Sequence, residues 1–108
     1  MTKIKNINHT MLQKLIDSDQ LLCIDFYATW CGPCKMLEPS MESFQEKFEK
    51  ITFVKVDVDR NEDFCDSVYA IKCMPTIVFQ KGSEIQGRVE GFDLKGIQDE
   101  LIKLSEMA

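Results

Sequence analysis

The chain has 108 residues, a formal net charge of −5 at pH 7 and five cysteines, and we expect one hydrophobic core in a single domain spanning residues 1–108. The acidic charge argues against a nucleic-acid partner, and we find neither a signal-peptide core nor a segment long enough to span a membrane. An odd number of cysteines leaves at least one thiol unpaired within the chain, which together with the missing signal peptide predicts a reducing, cytoplasmic setting.

The first half of the chain alternates strand and helix patterns. A short strand at residues 3–7 precedes a helix, for which Thr10 and Gln13 fit a capping box. We expect His9 to lie exposed at this helix start without a catalytic role, because no acid or nucleophile is near it in sequence. The apolar run at residues 21–28 predicts a buried strand, and an apolar stripe predicts a helix at residues 34–48.

The second half predicts two more helices and three more strands. Residues 51–58 are rich in β-branched side chains and predict a strand, and Asp59 with Glu62 fits the cap of a helix that ends near Tyr69. A hairpin at residues 76–89 and a final helix capped by Asp93 complete the pattern. The predicted fold class is α/β, a central five-stranded mixed β-sheet flanked by four helices, whose first three strands pair in parallel.

Two cysteines lie where the buried strand gives way to the second helix, in the stretch Trp30–Lys35 (W-C-G-P-C-K). Residues three apart on a helix have Cα atoms about 5 Å apart, within the range that a disulfide needs. We expect Cys31 to be exposed at the helix N-terminus, where free N–H groups stabilise a thiolate. Cys34, one turn further on, should be the more buried sulfur, and Pro33 is tolerated in a first turn.

The cysteine pair could instead form a structural disulfide or half of a zinc site. A bridge closing so short a loop would restrain the unfolded chain little. Zinc commonly takes four ligands, whereas the chain offers no second C-x-x-C and one histidine, so we expect no metal. Redox chemistry is therefore the favoured interpretation.

An aspartate interrupts the apolar strand before the cysteines. A carboxylate in a central strand covered on both sides is costly unless it is paired or protonated, so burial should raise the pKa of Asp25. The alternative is a position on an exposed face of the strand. We favour a functional carboxyl.

The stretches Asp25–Lys35 (D-F-Y-A-T-W-C-G-P-C-K) and Lys72–Thr76 (K-C-M-P-T) resemble the thioredoxin family, and the cysteine after Lys72 is similar to that of animal cytosolic members. The resemblance implies the thioredoxin fold with strand order 1-3-2-4-5. It also implies reduction of disulfides in target proteins by dithiol–disulfide exchange, with Cys31 attacking and Cys34 resolving the mixed disulfide.

The resemblance further implies an electron supply and partners. It implies no bound cofactor beyond the redox-active Cys31–Cys34 disulfide, with electrons coming from NADPH through a flavoprotein, either thioredoxin reductase or thioredoxin–glutathione reductase. Targets would include peroxiredoxin and ribonucleotide reductase. A redox-gated binding module with incidental turnover is the alternative function.

Further site residues follow from the resemblance alone. Asp25 would exchange a proton with Cys34, next to Lys55, although Lys55 could equally be an exposed strand lysine. Tyr27 stands where bacterial members carry a second tryptophan, which alters the packing under the site.

The resemblance also implies a substrate groove. Trp30 would contact partner proteins beside Gly32 and Pro33, and a cis Met74–Pro75 bond would face the cysteines. In that groove the Met74 backbone would pair with substrate and Gly91 would leave room for it.

The remaining three cysteines divide into two groups. Cys23 and Cys65 have apolar sequence neighbours and are predicted to pack in the core. Cys73 matches the surface cysteine of animal thioredoxins, and it is either a regulatory thiol or a simple surface residue. We expect mostly monomer, with a Cys73-linked dimer under oxidation.

Overall fold

The sheet is organised around its central strand, β2 (Leu21–Tyr27), in a computed structural model that describes residues 2–108. β2 pairs in parallel with β3 (Thr52–Asp57) and antiparallel with β4 (Thr76–Lys81). The flanking strands are β1 (Lys5–Asn6), parallel to β3, and β5 (Glu84–Glu90), antiparallel to β4. The order β1-β3-β2-β4-β5 confirms the predicted five-stranded mixed sheet.

Four helices flank the sheet, as predicted. They are α1 (His9–Asp17), α2 (Gly32–Lys47), α3 (Glu62–Tyr69) and α4 (Leu94–Ser105). Alternate residues of β2 enter two apolar clusters, because successive side chains of a strand point to opposite faces. One cluster contains residues of α1 and α3 together with Cys34 in the first turn of α2, and the other contains later residues of α2 and residues of α4. None of the helices within residues 2–108 is long and apolar enough to cross a membrane.

The predicted cap of the first helix is wrong by about half a turn. α1 begins at His9, and its N-cap is Asn8, whose side-chain oxygen accepts a hydrogen bond from the Met11 N–H at 2.9 Å. Asparagine is among the preferred N-cap residues, so it takes the place assigned to Thr10. His9 is exposed, as expected, and stacks on Phe64 at 5.6 Å between ring centroids.

The predicted cap of α3 is also wrong. Asn61 is the N-cap and makes no side-chain capping bond, since its amide oxygen accepts from the His9 N–H and its amide group donates to the Asp57 carbonyl. Asp59 lies in a 3₁₀ turn before the helix. Its carboxylate accepts a hydrogen bond from the Trp30 indole N–H instead.

Candidate active site

Cys31 joins β2 to α2 and caps the helix. It is the N-cap residue with an extended backbone, and its Sγ accepts a hydrogen bond from the Cys34 N–H at 3.2 Å. α2 therefore begins at Gly32, two residues earlier than the sequence pattern indicated, with Pro33 in its first turn. A sulfur in this position faces the free N–H groups and the positive end of the helix dipole, which favours a negative charge on it.

Both cysteines of the pair are buried, at 5% exposure for Cys31 and 3% for Cys34. The expectation of an exposed Cys31 is therefore wrong. The loop before β4 lies across it, and the Cys31 thiol approaches the Met74 carbonyl oxygen at 3.6 Å. The Cys31 sulfur is therefore covered on the side of this loop.

The two sulfurs differ in their electrostatic surroundings. Burial raises the pKa of the Cys34 thiol above its ordinary value, and the hydrogen bond with Cys31 and the charge of Asp25 add to the shift. Cys34 remains a thiol at neutral pH unless a base takes its proton. All five cysteines are free thiols in this structure.

Asp25 supplies a carboxyl group in the interior behind the pair. The residue is 2% exposed, and its Oδ1 has no hydrogen-bond partner. Burial raises the pKa of Asp25 to about 7, a shift that Lys55 opposes and Glu38 assists. The predicted increase is thus confirmed, and both ionisation states of this carboxyl are populated at neutral pH.

Lys55 lies opposite Asp25 in the register of β2 and β3. Its ammonium group forms an ion pair with Glu38 of α2 at 2.7 Å and lies 4.9 Å from the Tyr27 ring centroid, within cation–π range. These residues border a cavity of about 270 Å³ that also contacts Cys34. Lys55 thus neighbours Asp25 and is not a freely solvated lysine of the strand.

Sequence reasoning missed Glu38, although a signal for it existed. Residues four apart on a helix lie on the same face, so a helix that turns Cys34 toward the sheet also turns Glu38 that way. The acidic side chain then meets whatever cation the neighbouring strand offers, which here is Lys55.

The remaining predicted site residues adjoin Cys31 in sequence or belong to the loop before β4 and its contacts. Trp30 is 67% exposed, and its indole is held by Asp59 at 2.8 Å. The Met74–Pro75 bond is cis, as the resemblance implied. Gly91 has φ +88°, a region open to glycine, and its N–H donates to the Pro75 carbonyl at 2.8 Å.

Two of the other three cysteines lie in the core, as predicted, and the third is exposed. Cys23 and Cys65 are buried, and burial raises the pKa of both thiols, to about 11 for Cys65. Cys73 is exposed. Within residues 2–108 no group of three or more His, Cys, Asp or Glu side chains is arranged to hold a metal ion.

These features define a dithiol–disulfide redox centre. Two thiols one helical turn apart can form a bridge without moving the backbone far, and a carboxyl of near-neutral pKa lies beside the more buried one. The fold and site together indicate the class of thiol–disulfide oxidoreductases.

Comparison with known proteins agrees with this class. The Thioredoxin family model matches residues 3–103. A thioredoxin of Echinococcus granulosus is 43% identical over 97 residues, covering 89% of each chain. The structure of oxidised mitochondrial thioredoxin 3 of Saccharomyces cerevisiae superimposes with a TM-score of 0.84 at 34% identity, covering 93% of this chain and 94% of that one.

A second solved structure also superimposes on the chain. It concerns the thiol resolving mechanism in yeast mitochondrial 1-Cys peroxiredoxin via glutathione and thioredoxin systems, with a TM-score of 0.84 and 33% identity over 93% of this chain and 94% of that one. The chain belongs to the thioredoxin family. It is a thiol–disulfide oxidoreductase that acts by dithiol–disulfide exchange.

Proposed function

We propose that the chain reduces disulfides in other proteins with Cys31 as the attacking sulfur and Cys34 as the resolving one. The observation that carries this assignment is the cap geometry, in which Cys31 Sγ accepts the Cys34 N–H at 3.2 Å at the start of α2. A thiolate is stabilised there, whereas burial keeps Cys34 protonated. Only one of the two sulfurs is therefore prepared to attack first.

The exchange conserves atoms and electrons in two steps. Cys31 thiolate attacks one sulfur of the target disulfide, a mixed disulfide forms, and the other target sulfur leaves as a thiolate. Cys34 then passes its proton to the Asp25 carboxylate and attacks Cys31. The Cys31–Cys34 disulfide forms, the second target thiolate leaves, and the target has gained two electrons.

The surroundings of Cys31 support a protein substrate. We assign the substrate groove to Trp30, Gly32 and Pro33 on one side and to the cis Met74–Pro75 loop with Gly91 on the other. An extended substrate segment would pair with the Met74 backbone, in the manner of an added β-strand. Trp30 would supply an aromatic contact of the kind enriched at interfaces.

The two electrons need a donor. We propose that NADPH supplies them through a flavoprotein, either a thioredoxin reductase or a thioredoxin–glutathione reductase. Peroxiredoxin and ribonucleotide reductase are proposed targets, and the structural match concerned with a 1-Cys peroxiredoxin supports the first. We propose a cytoplasmic location, because a reducing compartment keeps the dithiol of a disulfide reductase available for exchange. The mitochondrial relative makes that organelle the alternative to test by imaging.

A trapping experiment tests the assignment of the two sulfurs. Cys34→Ser should attack but not resolve, so covalent adducts with disulfide-containing proteins should accumulate and dissolve in dithiothreitol. Cys31→Ser is the matched control and should accumulate few adducts. Equal trapping by both variants would refute the assignment.

Insulin reduction by the wild type with dithiothreitol separates an enzyme from a redox-gated binding module, which would show no catalysis.

We further propose that Cys73 is a regulatory thiol and that the chain is otherwise monomeric. Its exposure supports this role, whereas Cys23 and Cys65 are buried. Oxidant should produce a disulfide-linked dimer that Cys73→Ser abolishes. Cys23→Ser and Cys65→Ser serve as controls and should still dimerise, and a dimer that persists in Cys73→Ser would place the reactive thiol elsewhere.

A further inference from the structure

The cavity beside Asp25 brings opposite charges close to a buried carboxyl. It has a volume of about 270 Å³ and reaches from the partly exposed side chains of α2 to the interior of the sheet. Its titratable lining residues are Asp25, Tyr27, Cys34, Lys35, Glu38 and Lys55. The cavity is therefore the route by which charge on the surface can influence the interior carboxyl.

Lys55 lies between two carboxyl groups on this cavity and pairs with the outer one. Its ammonium group lies 2.7 Å from Glu38 Oε1, and the Lys55 side chain is 20% exposed against 45% for that of Glu38. Asp25 lies directly opposite Lys55 in the strand register, yet its buried Oδ1 has no hydrogen-bond partner. An ammonium on a flexible stem of four carbons could reach either group if nothing held it.

We propose that Glu38 is a positioning residue for the proton-transfer step, because its carboxylate holds the Lys55 ammonium at the cavity mouth and keeps it from pairing with Asp25. Tyr27 assists by offering its ring face to the same ammonium at 4.9 Å. The outer ion pair thus leaves the inner carboxyl without a direct ion-pair partner.

The other groups around Asp25 do not take over the electrostatic role of the Lys55–Glu38 pair. From β2 it meets the thiol of Cys23, which burial keeps neutral, and from α2 it meets Cys34. Lys35 borders the cavity but is exposed. β4 places Ile77 opposite Asp25, and the buried residues of α4 on this face are apolar. Lys55 and Glu38 are the pair of opposite charges that tunes the carboxyl.

The positioning has a direct consequence for the electrostatics of Asp25. Burial raises its pKa, Lys55 lowers it and Glu38 raises it, to a net value of about 7. Loss of the Glu38 charge removes one contribution that raises the pKa and also frees Lys55 to move inward. Both changes lower the pKa of Asp25, so a smaller fraction of the carboxyl would be protonated at neutral pH.

This inference rests on the proposed role of Asp25 as the group that exchanges a proton with Cys34. With a pKa of about 7, Asp25 offers both the acceptor and the donor form at neutral pH, as the two directions of dithiol–disulfide exchange require. A carboxylate of lower pKa would be ionised at more acidic pH but would be a weaker base. The proton step would then run over a different pH range.

The first experiment measures Asp25 alone, by carboxyl carbon NMR titration of the reduced protein. In Glu38→Gln the midpoint should fall by about half a pH unit or more, a roughly threefold change in the ionised-to-protonated ratio. Glu46→Gln removes an equal charge from an exposed site on the same helix and should leave the midpoint unchanged. A Glu38→Gln midpoint equal to that of Glu46→Gln, or higher than that of the wild type, would overturn the proposal.

A double-mutant cycle tests whether Glu38 acts through Lys55. Lys55→Gln should raise the Asp25 midpoint, and adding Glu38→Gln to it should then lower the midpoint less than in the wild type. An equal fall in both backgrounds would mean that Glu38 acts only by its own charge, and positioning would be wrong.

The rate at which Cys34 resolves a mixed disulfide, measured by stopped flow as a function of pH, distinguishes a failure of the Glu38 proposal from a failure of the proposed function. In Glu38→Gln the acidic limb of the rate profile should move to lower pH together with the NMR midpoint. A shifted NMR midpoint with an unshifted rate profile would refute the role of Asp25 as proton acceptor, yet the effect of Glu38 on its titration would stand.

Discussion

Two polar side chains are buried in neighbouring strands of the sheet, and they differ in whether their polar atoms have hydrogen-bond partners. On β4, Gln80 is 1% exposed, and its amide accepts from the Tyr69 hydroxyl at 2.7 Å and donates to the Gly82 carbonyl at 2.6 Å. On β2, Asp25 is 2% exposed and its Oδ1 has no partner. The first group is satisfied by its neighbours, and the second is not.

The difference separates a structural group from a reactive one. A buried amide with partners costs little and fixes the register of the elements it joins. A buried carboxyl with an unpartnered oxygen resists ionisation, and the penalty for ionising it appears as a raised pKa. Substitutions at these two residues and at their neighbours compare the cost of ionising a buried carboxyl with the cost of losing a hydrogen bond. The expected changes in stability decrease from Asp25→Asn to Asp59→Ala.

Asp25→Asn should give the largest change in stability. A carboxyl whose pKa is raised from about 3.9 in the unfolded chain to about 7 in the folded one keeps its proton longer when folded. The contribution of this carboxyl to folding stability is therefore fully present at low pH. About 4 kcal/mol of that stability is lost as pH rises from the pKa of the unfolded chain through that of the folded one. The asparagine side chain of the variant cannot ionise, so at about pH 8 the variant should be about 2–4 kcal/mol more stable than the wild type.

Denaturant melts of both proteins between about pH 4 and pH 8 check this value. The difference should shrink toward acidic pH, because the wild-type carboxyl is then protonated in both states. Resolution by Cys34 should meanwhile slow at neutral pH and recover at alkaline pH, where that thiol ionises unaided. A variant that is destabilised at pH 8 would mean that Asp25 holds the fold through its hydrogen bonds.

Gln80→Met should have an effect of opposite sign and no pH dependence. Methionine fills similar space but leaves the buried Tyr69 hydroxyl and Gly82 carbonyl without partners, which should cost about 2–3 kcal/mol. Neither group titrates between pH 5 and pH 8, and the pKa of Tyr69 is raised by burial to about 12. Urea melts at two pH values suffice, and a pH-dependent loss would contradict the comparison.

The sequence predicts the architecture because its signals are local and repeated. Apolar runs and helical stripes gave the order of strands and helices, and the motif from Trp30 to Lys35 located the redox pair. The same signals fail at the element ends. The sequence predicts Thr10 as the cap of α1 whereas the structure has Asn8, because both residues are good caps and only tertiary contacts decide between them.

The site was only partly predictable for a related reason. A charged residue in an apolar strand identified Asp25, and burial raises its pKa as expected. No local pattern indicates that Cys31 is covered by the Met74 loop, or that Lys55 pairs with Glu38 and not with Asp25. Those contacts join residues 17 or more positions apart, so they depend on how the helices and loops pack.

Tyr69→Phe should have a smaller effect than Gln80→Met. It removes one hydroxyl and leaves Gln80 Oε1 buried without its donor, which should cost about 1–2 kcal/mol. The apolar contacts of the ring with Phe26, at 4.8 Å between centroids, are retained. Urea denaturation at neutral pH measures this loss. A cost equal to that of Gln80→Met would mean that the Gly82 contact contributes nothing.

Asp59→Ala should have the smallest effect on stability, although it removes a hydrogen bond of comparable length. Its carboxylate accepts from the Trp30 indole at 2.8 Å, but the contact is exposed, so water replaces the lost partner. We expect a change within about 0.5 kcal/mol in a urea melt.

Trp30 is the only tryptophan in the chain, so its fluorescence anisotropy reports directly on the side chain and should fall as the indole becomes mobile. Insulin turnover should fall with it if a fixed indole helps to seat protein substrates. A stability loss above about 1 kcal/mol would mean that exposure does not distinguish this contact from the buried pair of Tyr69 and Gln80.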